Sequence, residues 1–216
     1  MLLEANDPKP CSFTSTLSDK VPLQHGVQCC GGEVAVLLEP LAVVPSVAVF
    51  GVGHVGLELA RILARHDLDL HLVDSRADHL DDEALAPLAA AVAAVHGHPV
   101  PVLPELVLAE LPPGTHVLVM THDHAEDLAI CDAAIRADHL GPIGLIGSSA
   151  KWGWFRTALR GNGHDDETIA RIHTPIGLPA LTAKEPAAIA VSVAAALLDA
   201  FEREVAPSSK QHRTRR

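Results

Sequence analysis

Several short stretches of this chain carry residues able to do chemistry, and the first is "HGVQCCGGEV", where Cys29 and Cys30 stand side by side ahead of Gly31 and Gly32. Adjacent Cα atoms across a trans peptide lie about 3.8 Å apart, below the usual disulfide range of about 4.4 to 6.8 Å, so a bridge between the two is disfavoured. In an extended chain their side chains point to opposite faces, and joint chelation needs a turn, which the glycines can supply. Only two other cysteines exist, Cys11 and Cys131, and they do not complete a zinc-finger spacing. Two readings stay open. One thiol is exposed and the other buried, or the pair handles a soft atom such as sulfur or molybdenum.

The second stretch, "VAVFGVGHVGLELARIL", sets Gly51, Gly53 and Gly56 in G-x-G-x-x-G spacing between an apolar run and a helical pattern. That context gives the motif its force. Gly51 permits a tight turn, Gly53 lets a phosphate approach the backbone, and Gly56 lets the helix pack against the strand. Around His54 and Val55 the free N–H groups of the helix start then face an anion. Asp74 ends the next apolar run, 23 residues after Gly51, where an acid can accept from ribose hydroxyls. Arg76 beside it can favour a 2′-phosphate or another anionic group, so NAD is not specified. A phosphate-bearing ligand is expected, while hydride transfer lacks its usual Tyr-x-x-x-Lys pair because the chain has no Tyr.

Two later loops fall past the ends of apolar runs. In "VMTHDHAEDLAICDAA", Thr121, His122, Asp123 and His124 precede a helix with Asp127 one turn in. The two imidazoles with nearby carboxylates can hold zinc or iron; equally, Asp123 or Thr121 can cap the helix while the histidines only donate hydrogen bonds. In "GLIGSSAKWGWFR", Gly147, Ser148 and Lys151 form a second candidate anion cradle at a helix start. The aromatic residues after it, Trp152, Trp154 and Phe155, read as packing. "HTPIGLPALTAKEP" brings His173, Lys184 and Glu185 into a loop that closes over a ligand or merely joins two helices.

The elements that position these groups follow from periodicity. Strands are expected at 33–41, 47–51, 68–74, 115–121 and 142–148, with a weak one near "PVPVLP". Helices are expected at 54–66, 82–95, 105–110, 124–137, 149–160, 165–172 and 184–204, and Thr182 with Glu185 resembles a capping box for the last. Alternating strands and helices specify an α/β fold, a Rossmann-like doubly wound parallel sheet with flanking helices, preceded by a short N-terminal strand. The central strands are almost wholly apolar, as strands covered on both faces are. Helix 184–204 is apolar nearly all round, which places it in the core or against a second subunit. Cys131 reads as a small core residue.

The net charge of −11 argues against nucleic acid as a partner. Four basic residues in the tail "PSSKQHRTRR" leave the remainder still more acidic, and that tail, with nothing apolar to bury, is expected to be disordered. No apolar run is long enough to span a bilayer, and a secretory signal is not expected from the early Glu4 and Asp7. A cytoplasmic location with reduced thiols is expected.

Taken in order, "GVQCCGGEVAVLLEP", the glycine loop, "LVDSR", "VMTHDHAEDLAIC", "GLIGSSAKWGWFR" and "IHTPIGLPALTAKEPAAIAVSVAAALL" resemble the carboxyl-terminal two-thirds of the XdhC/CoxI family of xanthine dehydrogenase accessory proteins. The resemblance covers roughly residues 25 to 200. It implies a non-catalytic maturation factor that binds the molybdenum cofactor (molybdopterin), holds it while a cysteine desulfurase helps supply the sulfido ligand, and delivers it to xanthine dehydrogenase. It implies that Cys29 and Cys30 contact the cofactor. Gly51, Gly53, Gly56, Asp74, Arg76, His122, His124, Lys184 and Glu185 match the family's other motifs. It also implies that residues 1–44 are a remnant of a larger N-terminal domain, that 45–205 form the Rossmann domain, and that 206–216 are a basic tail. A homodimer is the expected assembly. Competing expectations are an NAD(P)-dependent oxidoreductase on the same loop and a remnant Rossmann module acting in dimerisation.

Overall fold

The computed structural model describes residues 10–17, 32–39 and 43–205. They fall into two compact units, one holding the first two strands and one spanning Val44–Arg203. Cys29, Cys30 and the basic tail lie outside the described residues.

In the first unit β1 (Cys11–Leu17) pairs antiparallel with β2 (Gly32–Leu38), Cys11 opposite Leu38 and Leu17 opposite Gly32. The expected strand at 33–41 is thus present, and Cys11–Leu17, for which no element is expected, pairs with it. "CSFTSTL" is rich in β-branched and hydroxyl residues whose pairing partner lies beyond the reach of local periodicity.

The second unit is a six-stranded, all-parallel sheet. In chain order it contains β3 (Ser46–Phe50), α1 (His54–Leu63), β4 (Asp69–Asp74), α2 (Asp82–Leu85), β5 (Ala94–Pro99), β6 (His116–Val119), α3 (His124–Arg136), β7 (Ile143–Leu145), α4 (Ser149–Gly161), α5 (Asp166–Ile169), β8 (Ile172–His173) and α6 (Pro186–Val205). The strands lie in the order β5-β4-β3-β6-β7-β8. The chain first winds one way from β3 and then returns to β6 on its other side, which is the doubly wound Rossmann order. The expected fold class is therefore present.

Strand alternation divides the core. Val47 and Val49 of β3 and Leu70 and Leu72 of β4 face α1 and α6, packing with Leu59, Leu63, Ala190, Val193 and Leu197. Ala48, Phe50 and Val73 face the other way, with Val117 and Val119, against Ile130 and Ile135 of α3 and Phe155 and Leu159 of α4. Fully burying each large aliphatic side chain stabilises by about 1.5–3 kcal/mol, so two cores on one sheet hold it from both faces. Helix α6 spends its apolar face on the first of these cores.

Five expected elements are corrected. The Ala-rich helix at 82–95 shrinks to α2 and a 3₁₀ turn at Ala86–Leu88, because Pro87 stops it and Ala94 onward joins the sheet. The weak strand moves upstream to β5: Pro99, Pro101 and Pro104 lack the N–H groups a ladder requires, while Ala94 to His98 have them. The helix expected at 165–172 stops at Ile169, and Ile172–His173 becomes the sixth strand beside β7. Helix α6 begins at Pro186, so Glu185 stands before the first turn and not at the third position of a capping box. The segment expected as helix at 105–110 is a 3₁₀ helix, Pro104–Glu110.

Candidate functional site

The switch point of the sheet lies between β3 and β6, and the loops leaving their carboxyl ends form the crevice where doubly wound folds bind ligands. Gly51 turns there with φ of +100°, and a Cβ on it would lie 2.4 Å from the Met120 carbonyl oxygen. Gly56, in the first turn of α1, has its Cα so close to the strand that a Cβ would lie 2.1 Å from the Gly51 oxygen. At Gly53 the situation is the reverse. A Cβ would meet nothing closer than the Arg76 guanidinium at 3.8 Å, so the backbone is open to an approaching group. Gly53 is the N-cap of α1 with no side-chain cap, leaving first-turn N–H groups for an anion.

A cleft of about 380 Å³ opens over this loop, lined by Gly53, His54, Leu57, Arg76, Asp78 and His79 among others. Val55 points the other way and packs on the core. His79 donates from Nδ1 to the Val52 carbonyl at 3.0 Å, fixing its ring beside the loop.

Asp74 is 2% exposed and its carboxylate is fully engaged. Oδ2 accepts from the Val52 N–H at 2.7 Å and from Arg76 Nη2 at 2.9 Å. Oδ1 accepts from the Arg76 N–H and Nε, each at 2.9 Å. Asp74 therefore ties the glycine loop to Arg76 and presents Arg76, not itself, to the cleft. Burial pushes the Asp74 carboxyl up, but the Arg76 side-chain bonds, then the Arg76 and Val52 N–H groups, hold it below the ordinary carboxylate value. The bond to Asp74 correspondingly raises Arg76.

A carboxyl depressed on folding stabilises the fold above its unfolded pKa, and that contribution disappears as pH falls through the folded value. Asp74→Asn should cost about 1–2 kcal/mol at neutral pH, discounted because Arg76 is one-third exposed. Urea titrations of the two proteins should begin to converge as pH falls below about 4, and should meet only below the depressed folded value, where the wild-type carboxyl is protonated as well. A gap that persists undiminished at low pH would refute the charge-based account.

At the end of β6, Asp123 caps α3, accepting from the Ala125 and Glu126 N–H groups at 2.7 and 2.9 Å. Those bonds hold its carboxyl below the ordinary value. Thr121 accepts from the Asp123 N–H at 3.2 Å and donates to the Asp123 carbonyl at 3.0 Å. The capping alternative thus describes Asp123 and Thr121. His122 and His124 are exposed at the crevice, and among the described residues they belong to no three-ligand cluster.

Lys151 lies at the expected anion cradle but its charge is already used. Nζ donates to Asp127 Oδ2 at 2.5 Å and to the Ile146 carbonyl at 2.9 Å, and sits 5.3 Å from the Phe155 ring centroid. Its stem covers Gly147, where a Cβ would be 2.8 Å from Lys151 Cδ. Ser148 caps α4 by accepting from the Lys151 N–H at 3.2 Å. Phe155 is fully buried, whereas Trp154 is exposed against its edge.

Beyond β7 a larger cavity of about 850 Å³ is lined by Gly147, His173, Thr174, Leu178, Lys184 and Ser192 among others. Ser192 of α6 anchors its loop, accepting from the Leu178 N–H at 2.7 Å. Lys184 is therefore a lining residue here, and Glu185 is exposed next to it.

Glu126 was not singled out by sequence reasoning. It accepts from the Ser75 hydroxyl at 3.0 Å, joining the β4 and β6 loops, and burial pushes its carboxyl up against the opposing pull of Ser75 and His122. Its position three residues after Asp123 was the available signal. Cys131 is fully buried, and burial followed by the Asp127 charge drives its thiol far up, so it is an unreactive core residue.

Residues 47–197 match the XdhC Rossmann domain. The chain belongs to that family. The XdhC Rossmann domain here is also similar to YqeB, an uncharacterized protein of Escherichia coli (strain K12), at 28% identity over 169 residues, 78% of this chain and 30% of YqeB. Among solved structures, the crystal structure of a xanthine dehydrogenase from Bacillus halodurans superposes with a TM-score of 0.58 at 21% identity, over 84% of this chain and 47% of that one. At that identity the likeness speaks to fold. The chain spans less than half the length of either relative. No helix among the described residues is long and apolar enough to cross a membrane.

Proposed function

We propose that this XdhC-family chain is a maturation factor for xanthine dehydrogenase, one that binds the molybdenum cofactor and assists its sulfuration and insertion without catalysing a reaction of its own. The observation that carries the reading is the family match over residues 47–197, whose glycine loop leaves an open backbone at Gly53 directly under the Arg76 guanidinium. Free N–H groups and a fixed guanidinium make a site for a terminal phosphate, and molybdopterin ends in one. The cofactor supplies redox chemistry in the enzyme that receives it. On this reading Gly53, His54 and Arg76 bind its phosphate, Asp74 positions Arg76, and His122, His124 and Lys184 line the route to the reactive end. By the family resemblance Cys29 and Cys30 are the candidates to contact the cofactor through their thiols. Partners are xanthine dehydrogenase and a cysteine desulfurase, and the working form is a cytoplasmic homodimer.

The rival reading, an NAD(P)-dependent oxidoreductase, draws on the same strand order and loop. It is disfavoured by the state of Asp74. The acid that would accept from an adenosine ribose already accepts four N–H donors.

Anaerobic purification with molybdenum cofactor and, separately, with NAD(P)H tests both. Saturable cofactor binding is expected, weakened by Cys29→Ala and about tenfold or more by Arg76→Met, the scale of one charge-assisted hydrogen bond. Tight NAD(P)H binding with turnover would sink the proposal, and binding of neither would favour a remnant module acting in dimerisation.

A further inference from the structure

We propose that Asp69, His71 and His96 form a binding site for a divalent first-row transition ion of the zinc class, at the β4–β5 edge of the sheet. The site is separate from the crevice. Asp69 begins β4 and Asp74 ends it, so these two residues stand five strand steps, roughly 16 Å, apart.

The parallel register creates the cluster. His71 is opposite His96 and Val73 opposite His98, so Asp69, His71, His96 and His98 share one face across two neighbouring strands. One ligand atom from each of Asp69, His71 and His96 lies within 4.8 Å of the others. His96 Nε2 is 2.6 Å from Asp69 Oδ1, and His71 Nε2 is 3.6 Å from Asp69 Oδ2. Tetrahedral zinc with bonds of about 2.0–2.2 Å sets its ligand atoms roughly 3.3 Å apart, so small side-chain adjustments suffice.

A second observation points to a cation. His71 is 8% exposed, and its Nε2 is buried with no hydrogen-bond partner. Either state of that nitrogen is costly in the protein alone. A proton there has no acceptor at bonding distance, and a lone pair there faces the Asp69 carboxylate at 3.6 Å. A cation between them satisfies both groups at once.

The other nitrogen of His71 is already placed for such a role. Its Nδ1 is 3.1 Å from His98 Nε2, and the two rings stack with centroids 5.3 Å apart. When Nδ1 donates to His98, the tautomer leaves the Nε2 lone pair toward Asp69, which is how outer partners orient metal-ligating histidines. Asp69 and His96 are partly exposed, so solvent can complete the coordination. Two imidazoles and one carboxylate are the donor set of an open zinc site. Such an ion would clamp β5, the exposed edge strand, onto β4.

The full chain, expressed without a histidine tag and stripped with a chelator, should be titrated with zinc by calorimetry and with cobalt by visible absorption. One equivalent is expected to bind and to raise the melting temperature. His96→Asn and Asp69→Asn, both at solvent-reachable positions, should each weaken binding by at least tenfold. Binding should survive Cys29→Ser with Cys30→Ser, and His122→Asn with His124→Asn, and the cobalt spectrum should lack thiolate-to-metal charge transfer. The proposal is overturned if the tag-free chain binds no ion, if His96→Asn and Asp69→Asn leave the affinity unchanged, or if replacing the cysteines abolishes binding.

Discussion

Lys151→Met should destabilise the domain by about 3–5 kcal/mol, the usual loss when one partner of a buried ion pair is removed. Asp127 is fully buried and Lys151 is one-tenth exposed, so neither charge is served by bulk water. With the ammonium gone, the carboxylate would keep only the Thr121 N–H at 2.9 Å on its other oxygen. The effect should appear in urea unfolding or as a fall in melting temperature of roughly 10 °C for a domain of this size. Combining it with Asp127→Asn should restore much of the loss, because a neutral amide still accepts from Thr121 and no charge is stranded. This outcome also separates two roles for Lys151. A lysine held in reserve for an anion would leave stability within about 0.5 kcal/mol of wild type when replaced, whereas a lysine that joins the β6 and β7 loops through Asp127 would not.

Gly51→Ala should be nearly as severe. It places a side chain at φ of +100° and its Cβ 2.4 Å from a backbone carbonyl of the neighbouring strand. Left-handed strain costs about 1–3 kcal/mol and overpacking a similar amount, so roughly 3–5 kcal/mol is expected. The backbone of Met120 cannot yield without opening β3 from β6. Gly56→Ala makes the sharper comparison, because alanine within a helix is ordinarily about 1 kcal/mol better than glycine. Here the sign should reverse, since the added Cβ would lie 2.1 Å from the Gly51 oxygen. Gly53→Ala should leave the melting temperature close to wild type and instead reduce anion affinity, because its Cβ enters open space beside Arg76. Chemical denaturation of the three variants measures the contrast. Equal losses at all three positions would rule out this division of labour within the loop.

The same loop shows how local patterns can be read without a fold. Glycine spacing after an apolar run, and an acid at the end of the next one, depend on residues close in sequence, and the geometry they specify is largely backbone geometry. Partner choice is different. Asp74 and Arg76 are near neighbours in sequence, yet nothing local says that they bind each other before they bind a ligand. That depends on Val52 N–H converging on the same carboxylate from the glycine loop after β3.

Periodicity failed where the two kinds of element compete for the same residues. The stretch 82–95 is rich in alanine and helical by propensity, but Pro87 interrupts it and the edge of the sheet recruits Ala94 to Pro99. An edge strand with half its face in solvent carries little apolar signal, and this one is written in histidine and glycine. β8 is two residues long, too short for any periodic pattern to register.

What the sequence by itself determined about this protein is the repertoire: an alternating α/β chain, a glycine loop at a strand end, family motifs in order, and a long final helix that has to bury its surface. Each rests on residues within a few positions of one another, where backbone sterics and side-chain alternation act directly. The tertiary structure alone decided which groups are spent on the protein and which remain for a ligand. Lys151 is consumed by Asp127, Asp123 by its own helix, and Asp74 by Arg76, while Arg76 and the Gly53 backbone stay open. It alone brought His71, His96 and His98 onto one face. The reason is physical. Hydrogen bonds and ion pairs are decided by distances of about 3 Å between groups separated by tens of residues, and only the packed sheet sets those distances.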